Sequence, residues 1–364
     1  MTINRMKISV SLNRSVVVFA ILLLNSAAGR AVAQVASSAP VGYIVQTIPA
    51  EQSRSFSVPL DAPASSQADS VGRLTEVGEN WFDNADAEWT AGAFSSVEAP
   101  YFIRLTSGIQ TGRLFRISNP ANTATRVYVA DDGLTLLELN IEVGPNGARY
   151  EIIPADTLAT LLGTAADSSL VLQGAADPLL ADLVQIWGGA SWINFYFNTD
   201  WGRWARDRDV AGSPSRNNFL LRPDRGVMIT RRGSTPLAIA VVGRVAVTPP
   251  RLVHTRTPNA FTFLATMQAT DTTLGELALQ KVSRSQDWLG AATSNEADLI
   301  VVWEGASWFS FYYNTTTSHW QRVGDLGTDR DGYVIKAGTP VFVQRRQAGL
   351  TSAERTLRFP AIGG

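Results

Sequence analysis

The chain of 364 residues contains no cysteine and only two histidines, and these shortages exclude several kinds of chemistry. Without a thiol there is no disulfide, no cysteine nucleophile and no cysteine-ligated zinc or iron–sulfur cluster. Two histidines leave almost no material for a histidine-based catalytic triad or a zinc enzyme. The sequence also lacks a Walker-type phosphate loop and a dinucleotide-binding fingerprint. No cofactor and no catalytic residue are therefore predicted.

Long apolar runs are missing as well. The longest, at residues 16–24, is about half the length that a membrane span needs. Basic residues precede this run and a small-x-small pattern follows it at residues 31–33, which is typical of a secretory signal peptide over residues 1–33. We expect export by the general secretory route to the periplasm, the outer surface or the extracellular space, with no transmembrane anchor after cleavage. The alternative is a retained anchor.

The charge balance argues against nucleic-acid binding. Removal of residues 1–33 changes the balance from 31 basic against 32 acidic residues to 27 against 32. A mildly acidic chain without a basic stripe lacks the electrostatic footprint of a nucleic-acid-binding protein.

The most informative feature that is present is an internal repeat. Residues 187–206 return as residues 303–322, at a spacing of 116 residues and with 11 of 20 positions identical. Shorter matches at the same spacing pair residues 157–161 with residues 273–277. Duplication of a structural unit explains this pattern.

Strand signals dominate the chain and predict an all-β protein. Alternation at period two and glycine-containing turns favour tandem β-sandwich or small β-barrel units built from antiparallel meanders. Each Thr-Leu-x-x-Leu segment predicts a short helical turn capped by its threonine or the residue before it. We divide the chain into a signal peptide (1–33), an N-terminal β region (34–150), repeat unit 1 (151–248) and repeat unit 2 (249–364).

The second strand of each predicted meander has two different faces, because alternate residues of a strand point to opposite sides. One face is apolar and carries Ile193, Phe195 and Phe197 in the first copy, so we expect it to be buried. The other face alternates aromatic rings with amides and hydroxyls. This candidate ligand-binding face consists of Trp192, Asn194, Tyr196 and Asn198 in the first copy and of Trp308, Ser310, Tyr312 and Asn314 in the second.

This mixed face has three interpretations. It is covered by a neighbouring sheet or by the other copy, it binds carbohydrate through flat rings and polar groups, or it contacts another protein. Solvent-open tryptophan and tyrosine rings would favour the sugar, and buried rings would favour packing. Asn198 and Asn314, each followed by threonine, are interpreted as turn residues that satisfy their own backbone.

The repeat also carries charged residues. Asp182 and Asp298 open the first strand of each meander, and we expect them to cap a turn or to pair with Arg206 and Arg322. The two arginines lie two positions after a tryptophan, which predicts cation–π stacking, with an anionic ligand as the alternative.

One acidic loop belongs to the second copy alone. Asp325, Asp329 and Asp331 form a weak candidate Ca²⁺ site, because Ca²⁺ takes several oxygen ligands. The alternative is an ordinary turn, since Asp-Gly is a common turn pair. No other metal site is predicted.

The chain resembles a family of uncharacterised secreted proteins known mainly from verrucomicrobial genomes. The matching features are Val-Gly-Tyr at residues 41–43, an aromatic strand with Ser-Gly and Gly-Arg at 101–113, Ile-Pro-x-x-Thr-Leu at 153–158 and the block at 181–204. The resemblance covers nearly all of the mature chain. It implies export and β architecture, and it adds no activity and no catalytic residue.

These observations predict a secreted, non-enzymatic structural or binding protein of the cell envelope or extracellular space. Its expected partners are polysaccharide or envelope proteins. The alternative is a polysaccharide-binding module, or a carbohydrate-directed hydrolase, that uses the repeated Trp/Tyr/Asn face. A separate acidic patch near Trp81 and Trp89, formed by Asp83, Asp86 and Glu88, offers the paired carboxylates that a glycosidase uses.

Overall fold

The computed structural model describes residues 40–61, 71–130, 135–165, 169–253, 257–279, 288–325, 327–346 and 356–359. The chain from Pro40 onward forms one compact unit. The predicted signal peptide and its cleavage site lie outside the described residues.

Most of the regular structure in the described residues is strand. The strands are β1 (Val41–Ile48), β2 (Ser53–Phe56), β3 (Leu60–Asp61), β4 (Val71–Arg73), β5 (Glu76–Val77), β6 (Trp81–Asp83), β7 (Tyr101–Leu105), β8 (Leu114–Arg116), β9 (Arg126–Tyr128), β10 (Arg149–Pro154), β11 (Asp156–Thr157), β12 (Leu183–Trp187), β13 (Trp192–Asn198), β14 (Arg203–Arg206), β15 (Leu220–Leu221), β16 (Val227–Thr230), β17 (Leu237–Val245), β18 (Arg251–Val253), β19 (Phe261–Ala265), β20 (Thr272–Thr273), β21 (Leu299–Glu304), β22 (Ser307–Asn314), β23 (His319–Arg322), β24 (Val334–Ile335), β25 (Pro340–Gln344) and β26 (Thr356–Arg358). The helices are a 3₁₀ turn at Leu136–Leu139 and α1 (Leu158–Leu162).

The all-β prediction is confirmed, and two five-stranded sheets have corresponding strand orders. The first copy contains a five-stranded antiparallel sheet in the order β14-β13-β12-β16-β2, and the second contains β23-β22-β21-β25-β19. The two orders are the same when each strand is replaced by its counterpart. Each sheet includes the predicted three-strand meander. Within the described part of the chain, no helix has the length and apolar character needed to cross a bilayer.

The first copy is interrupted by an insertion, which we define as residues 71–154. Strands β1 and β3 pair with β17, and β2 pairs with β16, so the strands before the insertion pair with strands of the first repeat. The insertion forms its own sheets, β4-β10-β7-β8 and β5-β6-β9. Strands from before residue 150 therefore share sheets with strands from after it, although the predicted N-terminal region ends at that residue.

The larger sheet of the insertion, β4-β10-β7-β8, packs on both of its faces. Ile103, Leu105 and Phe115 belong to a core within the insertion, whereas Phe102 and Leu114 are buried in the core of the second copy. Alternate residues of a strand point to opposite faces, so two neighbouring strands can serve two cores. The insertion is thereby fixed against the second copy.

The repeated Thr-Leu-x-x-Leu segments differ in regularity. In the first copy this segment forms α1, whose cap Thr157 accepts a hydrogen bond from Thr160 N at 3.2 Å. In the second copy the segment forms a turn, in which Thr273 Oγ1 accepts from Glu276 N at 3.2 Å and Glu276 Oε2 accepts from Thr273 N at 2.8 Å. Both copies therefore use the threonine as a cap, as predicted.

Candidate functional site

The tyrosine and asparagine end of the mixed face lies in the interior in both copies. Tyr196, Asn198, Tyr312 and Asn314 are buried. Asn198 Nδ2 donates to the Tyr196 hydroxyl at 2.9 Å, and the counterparts in the second copy lie at 3.3 Å. The side-chain oxygens of both asparagines accept backbone N–H groups of the following turn, so the predicted turn role is confirmed.

The middle of the mixed face is half-buried. Asn194 Oδ1 accepts from Gln185 Nε2 at 3.0 Å, and Asn194 Nδ2 donates to Asp207 Oδ2 at 2.9 Å. The counterpart Ser310 is also half-buried. The amide of Asn194 is thus satisfied by neighbours on adjacent strands.

The tryptophan end of the mixed face forms the junction between the two copies. Trp192 and Trp308 are half-buried, and both contact Phe342, with ring centroids at 5.8 and 5.0 Å. Both also contact Phe263, at 5.5 and 6.0 Å. Edge-to-face geometry of this kind is favourable for aromatic pairs. We call this group the junction cluster; it consists of Trp187, Trp192, Phe261, Phe263, Trp303, Trp308 and Phe342.

Two hydrogen bonds show that the junction is reciprocal. Trp187 Nε1 in the first copy donates to Phe261 O on the edge strand β19 of the second, at 2.9 Å. Its counterpart Trp303 Nε1 donates to Ser53 O on the edge strand β2 of the first copy, at 3.0 Å. Each copy makes the same contact with the other, as in an isologous interface.

The repeated aspartates form a duplicated buried ion pair, but with partners other than those expected. Asp182 pairs with Arg231, and Asp298 pairs with Arg345 Nε at 2.6 Å. Each carboxylate also accepts two backbone N–H groups, from Gln173 and Arg232 in the first copy. The pairing with Arg206 and Arg322 was wrong, because the carboxylates pair with Arg231 and Arg345, which immediately follow β16 and β25.

Arg206 and Arg322 instead lie over phenyl rings of their own meanders. The Arg206 guanidinium is 5.6 Å from the Phe195 ring, and that of Arg322 is 3.8 Å from the Phe309 ring. The expected cation–π contact is present, although the ring is a phenyl on the neighbouring strand instead of an indole.

The acidic loop of the second copy is built largely from duplicated contacts. Asp325 pairs with Arg330, just as Asp209 pairs with Arg216 in the first copy at 2.9 Å. Asp331 Oδ1 accepts from Trp320 N at 2.8 Å, where the first copy uses Asn217 and Trp204 at 2.9 Å. Two of the three Ca²⁺ candidates therefore have structural roles that recur between the copies.

Three residues of this loop region, His319, Asp329 and Asp331, have no acidic or histidine counterpart in the first copy. His319 Nδ1 lies 3.4 Å from Asp329 Oδ2 and 3.0 Å from Asp331 Oδ2. Their ligand atoms lie close enough to hold a divalent cation, with the imidazole in the place that the sequence reading gave to Asp325. The hydrogen bond to Asp331 raises the pKa of His319 above its ordinary value.

Of the three candidate glycosidase carboxylates, Asp83 forms an ion pair within the fold. Asp83 Oδ2 accepts from Arg126 Nε at 3.1 Å, and the same guanidinium lies 3.6 Å from the Trp81 ring. Asp86 and Glu88 are exposed. Asp83 therefore serves an ion pair between β6 and β9.

A groove of about 310 Å³ lies beside the junction cluster, and the sequence reading missed it. We call it the junction groove; its lining includes Arg54, Ser55, Trp303, Glu304, Tyr333 and Lys336. Its volume falls at the lower end of the range of small-ligand sites, which is about 300–1,000 Å³. The sequence signal that could have indicated this groove is a difference in polarity between the copies at two positions. Glu304 corresponds to Gly188, and Tyr333 corresponds to Phe219.

The polar groups of the junction groove are partly organised by each other. The Tyr333 hydroxyl donates to Glu304 Oε2 at 3.1 Å. Burial, together with the charge of Glu304, raises the pKa of Tyr333 to about 12, so the hydroxyl stays protonated at neutral pH. Lys336 Nζ lies 2.7 Å from Asp271 Oδ2 on the outer side. The groove thus combines two aromatic rings with a carboxylate, an ammonium and a guanidinium.

Comparison with protein-family models, with curated proteins and with solved structures gives no match to this chain.

Proposed function

We propose that this is an exported, non-enzymatic binding protein of the cell envelope or extracellular space, in which the two repeats form one scaffold. The observation that carries the proposal is the reciprocal junction, because it places the repeated tryptophans between the copies and leaves a polar groove at their edge. Polysaccharide is the partner that this mixture of aromatic and polar groups fits best.

The use of the repeated polar residues supports a scaffold role. Asp182 and Asp298 are buried in ion pairs, and Asn198 and Asn314 hold turns. Catalytic carboxylates and bases need access to substrate, whereas these groups are enclosed by their partners. The duplicated residues are therefore explained by the requirements of the fold.

Two measurements test this proposal on the full-length chain expressed with its own N-terminus. Mass spectrometry of the exported protein should show loss of residues 1–33, and a chain retained whole in the cytoplasm would contradict export.

The purified protein should sediment with insoluble envelope polysaccharide and release no reducing ends from it. Reducing-end release that disappears in an Asp86→Asn or Glu88→Gln variant would instead establish a hydrolase.

A further inference from the structure

We propose that the junction groove binds a neutral pyranose unit of a polysaccharide chain, with the Trp303 ring as the stacking surface. This inference rests on the proposed binding function and names its site and ligand class. Four independent features of the groove support it: how it is opened, how its ring is held, which polar groups line it and how its charges balance.

The groove is open because one backbone hydrogen bond of the reciprocal junction cannot form there. On the first copy's side, Gly226 N donates to Phe263 O at 3.2 Å and closes the junction. The counterparts of these residues on the other side are Pro340 and Ser55, as the strand registers show. Proline has no N–H to donate. Ser55 and Thr339, the residue before Pro340, line the groove on the side where this hydrogen bond is missing.

The Trp303 ring is held in place before any ligand arrives. Its Nε1 donates to Ser53 O, and its ring packs against Trp308 with centroids 5.0 Å apart. The ring is half-buried, so part of its surface faces the groove. A fixed ring loses little conformational freedom on binding, and flat aromatic rings match the apolar C–H face of a pyranose.

Two polar residues of the groove, Glu304 and Tyr333, have non-polar counterparts in the first copy. Gly188 and Phe219 occupy the positions of Glu304 and Tyr333 in the first copy. Glu304 is an exposed carboxylate that accepts hydrogen bonds, and Tyr333 carries a protonated hydroxyl beside it. Such a pair can fix sugar hydroxyls through donors and acceptors at one edge of the ring.

The charges favour a neutral ligand. Arg54 and Lys336 bring positive charge to the lining and Glu304 brings negative charge, while Asp271, outside the lining, pairs with Lys336 and offsets its charge. These charges balance, so neither a polyanion nor a polycation gains from entering. Addition of a peptide strand to β2 is disfavoured because this strand has four residues and its Ser53 carbonyl is already bonded to Trp303.

The test uses the mature full-length protein and the neutral hexasaccharides cellohexaose, chitohexaose, xylohexaose, maltohexaose and laminarihexaose, with binding measured by isothermal titration calorimetry. At least one of these probes should bind. Glu304→Gly and Tyr333→Phe should each weaken binding, by at least about tenfold for Glu304→Gly because an interaction with a charged group is lost. Both substitutions install the residue that the first copy carries, so the fold should tolerate them, and thermal unfolding checks this.

Glu98→Gly, at an exposed glutamate in the insertion, is the matched control and should leave the affinity unchanged. Binding of a probe that is equally tight in both groove variants would overturn the groove as the site while leaving the binding function intact. Binding to none of the five probes, with envelope polysaccharide still sedimenting the protein, would overturn the neutral pyranose. Loss of sedimentation as well would overturn the binding function itself.

Discussion

The two copies share a sheet order but differ in what surrounds it, and the comparison separates the residues that make the fold from those available for function. Both copies keep the meander, the junction tryptophans, the turn asparagines and a buried Asp–Arg pair. The differences lie at the junction groove, at the acidic loop and at the insertion. Identity between the copies therefore marks structural contacts, and divergence marks positions that the shared fold does not fix.

The largest effect should come from breaking the buried ion pair, which the copies share. Asp298→Ala leaves Arg345 buried without its carboxylate, and removal of one partner from a buried pair costs about 3–5 kcal/mol. Asp182→Ala should cost less, because the Arg231 side chain is 11% exposed against 5% for Arg345 and reaches water more readily. Denaturant unfolding of both variants measures the difference.

Asp200→Ala, at an exposed aspartate in the β13–β14 turn, is the control and should change the free energy of unfolding by less than about 0.5 kcal/mol. A loss of stability in the Asp182 variant that exceeds the loss in the Asp298 variant would show that exposure of the arginine does not set the cost.

A smaller effect should come from a position where the copies differ. Burial, and then the charge of Asp61, raises the pKa of Asp156 to about 6; the second copy has Thr272 at this position. The folded state therefore holds the proton more tightly than the unfolded state does. The contribution of Asp156 to the free energy of unfolding should fall by roughly 2–3 kcal/mol as the pH rises from about 4 to about 6, and it should stay lower above that range.

Asp156→Asn should remove this pH dependence, so the variant should match the parent near pH 4 and exceed its stability at pH 7. Asp86→Asn, at an exposed aspartate, should leave the profile unchanged. Parallel unfolding profiles for the parent and the Asp156 variant between pH 4 and pH 7 would show that Asp156 has an ordinary pKa.

Local patterns in the sequence were sufficient to predict the strands, the meanders and the turns. Period-two alternation identified Phe195 and Phe197 as buried, although Ile193 on the same face is half-buried, and the Asn-Thr pairs identified turn residues. These features depend on neighbours within a few positions along the chain, so the sequence contains the information directly.

Contacts between distant residues were not accessible in the same way. The partner of Asp182 is Arg231, 49 residues away, and several arginines were available at comparable distances along the chain. The groove brings Ser55 of the first copy close to Thr339 of the second, a proximity that is set by how two sheets pack. The hydrophobic pattern of these two segments does not predict how they pack together. The difference between Glu304 and its counterpart Gly188 indicated only that the copies had diverged there.

The smallest predicted effect concerns the two tryptophans that are wholly buried in the copies' cores, Trp204 and Trp320. Trp204 Nε1 donates to Gly163 O at 2.9 Å, whereas Trp320 Nε1 finds no acceptor among the described residues. Substitution by phenylalanine removes a similar volume from both cores. In the first copy it also leaves the buried Gly163 carbonyl without this donor, and in the second it removes an unsatisfied N–H.

Trp204→Phe should therefore destabilise the protein by about 1–2 kcal/mol more than Trp320→Phe does, as judged by denaturant unfolding followed by circular dichroism. The double variant provides the control, because the two sites belong to separate cores and their effects should add. Equal losses for the two single variants would mean that Trp320 has an acceptor after all, and the cores of the two copies would then be equivalent in hydrogen bonding as well as in packing.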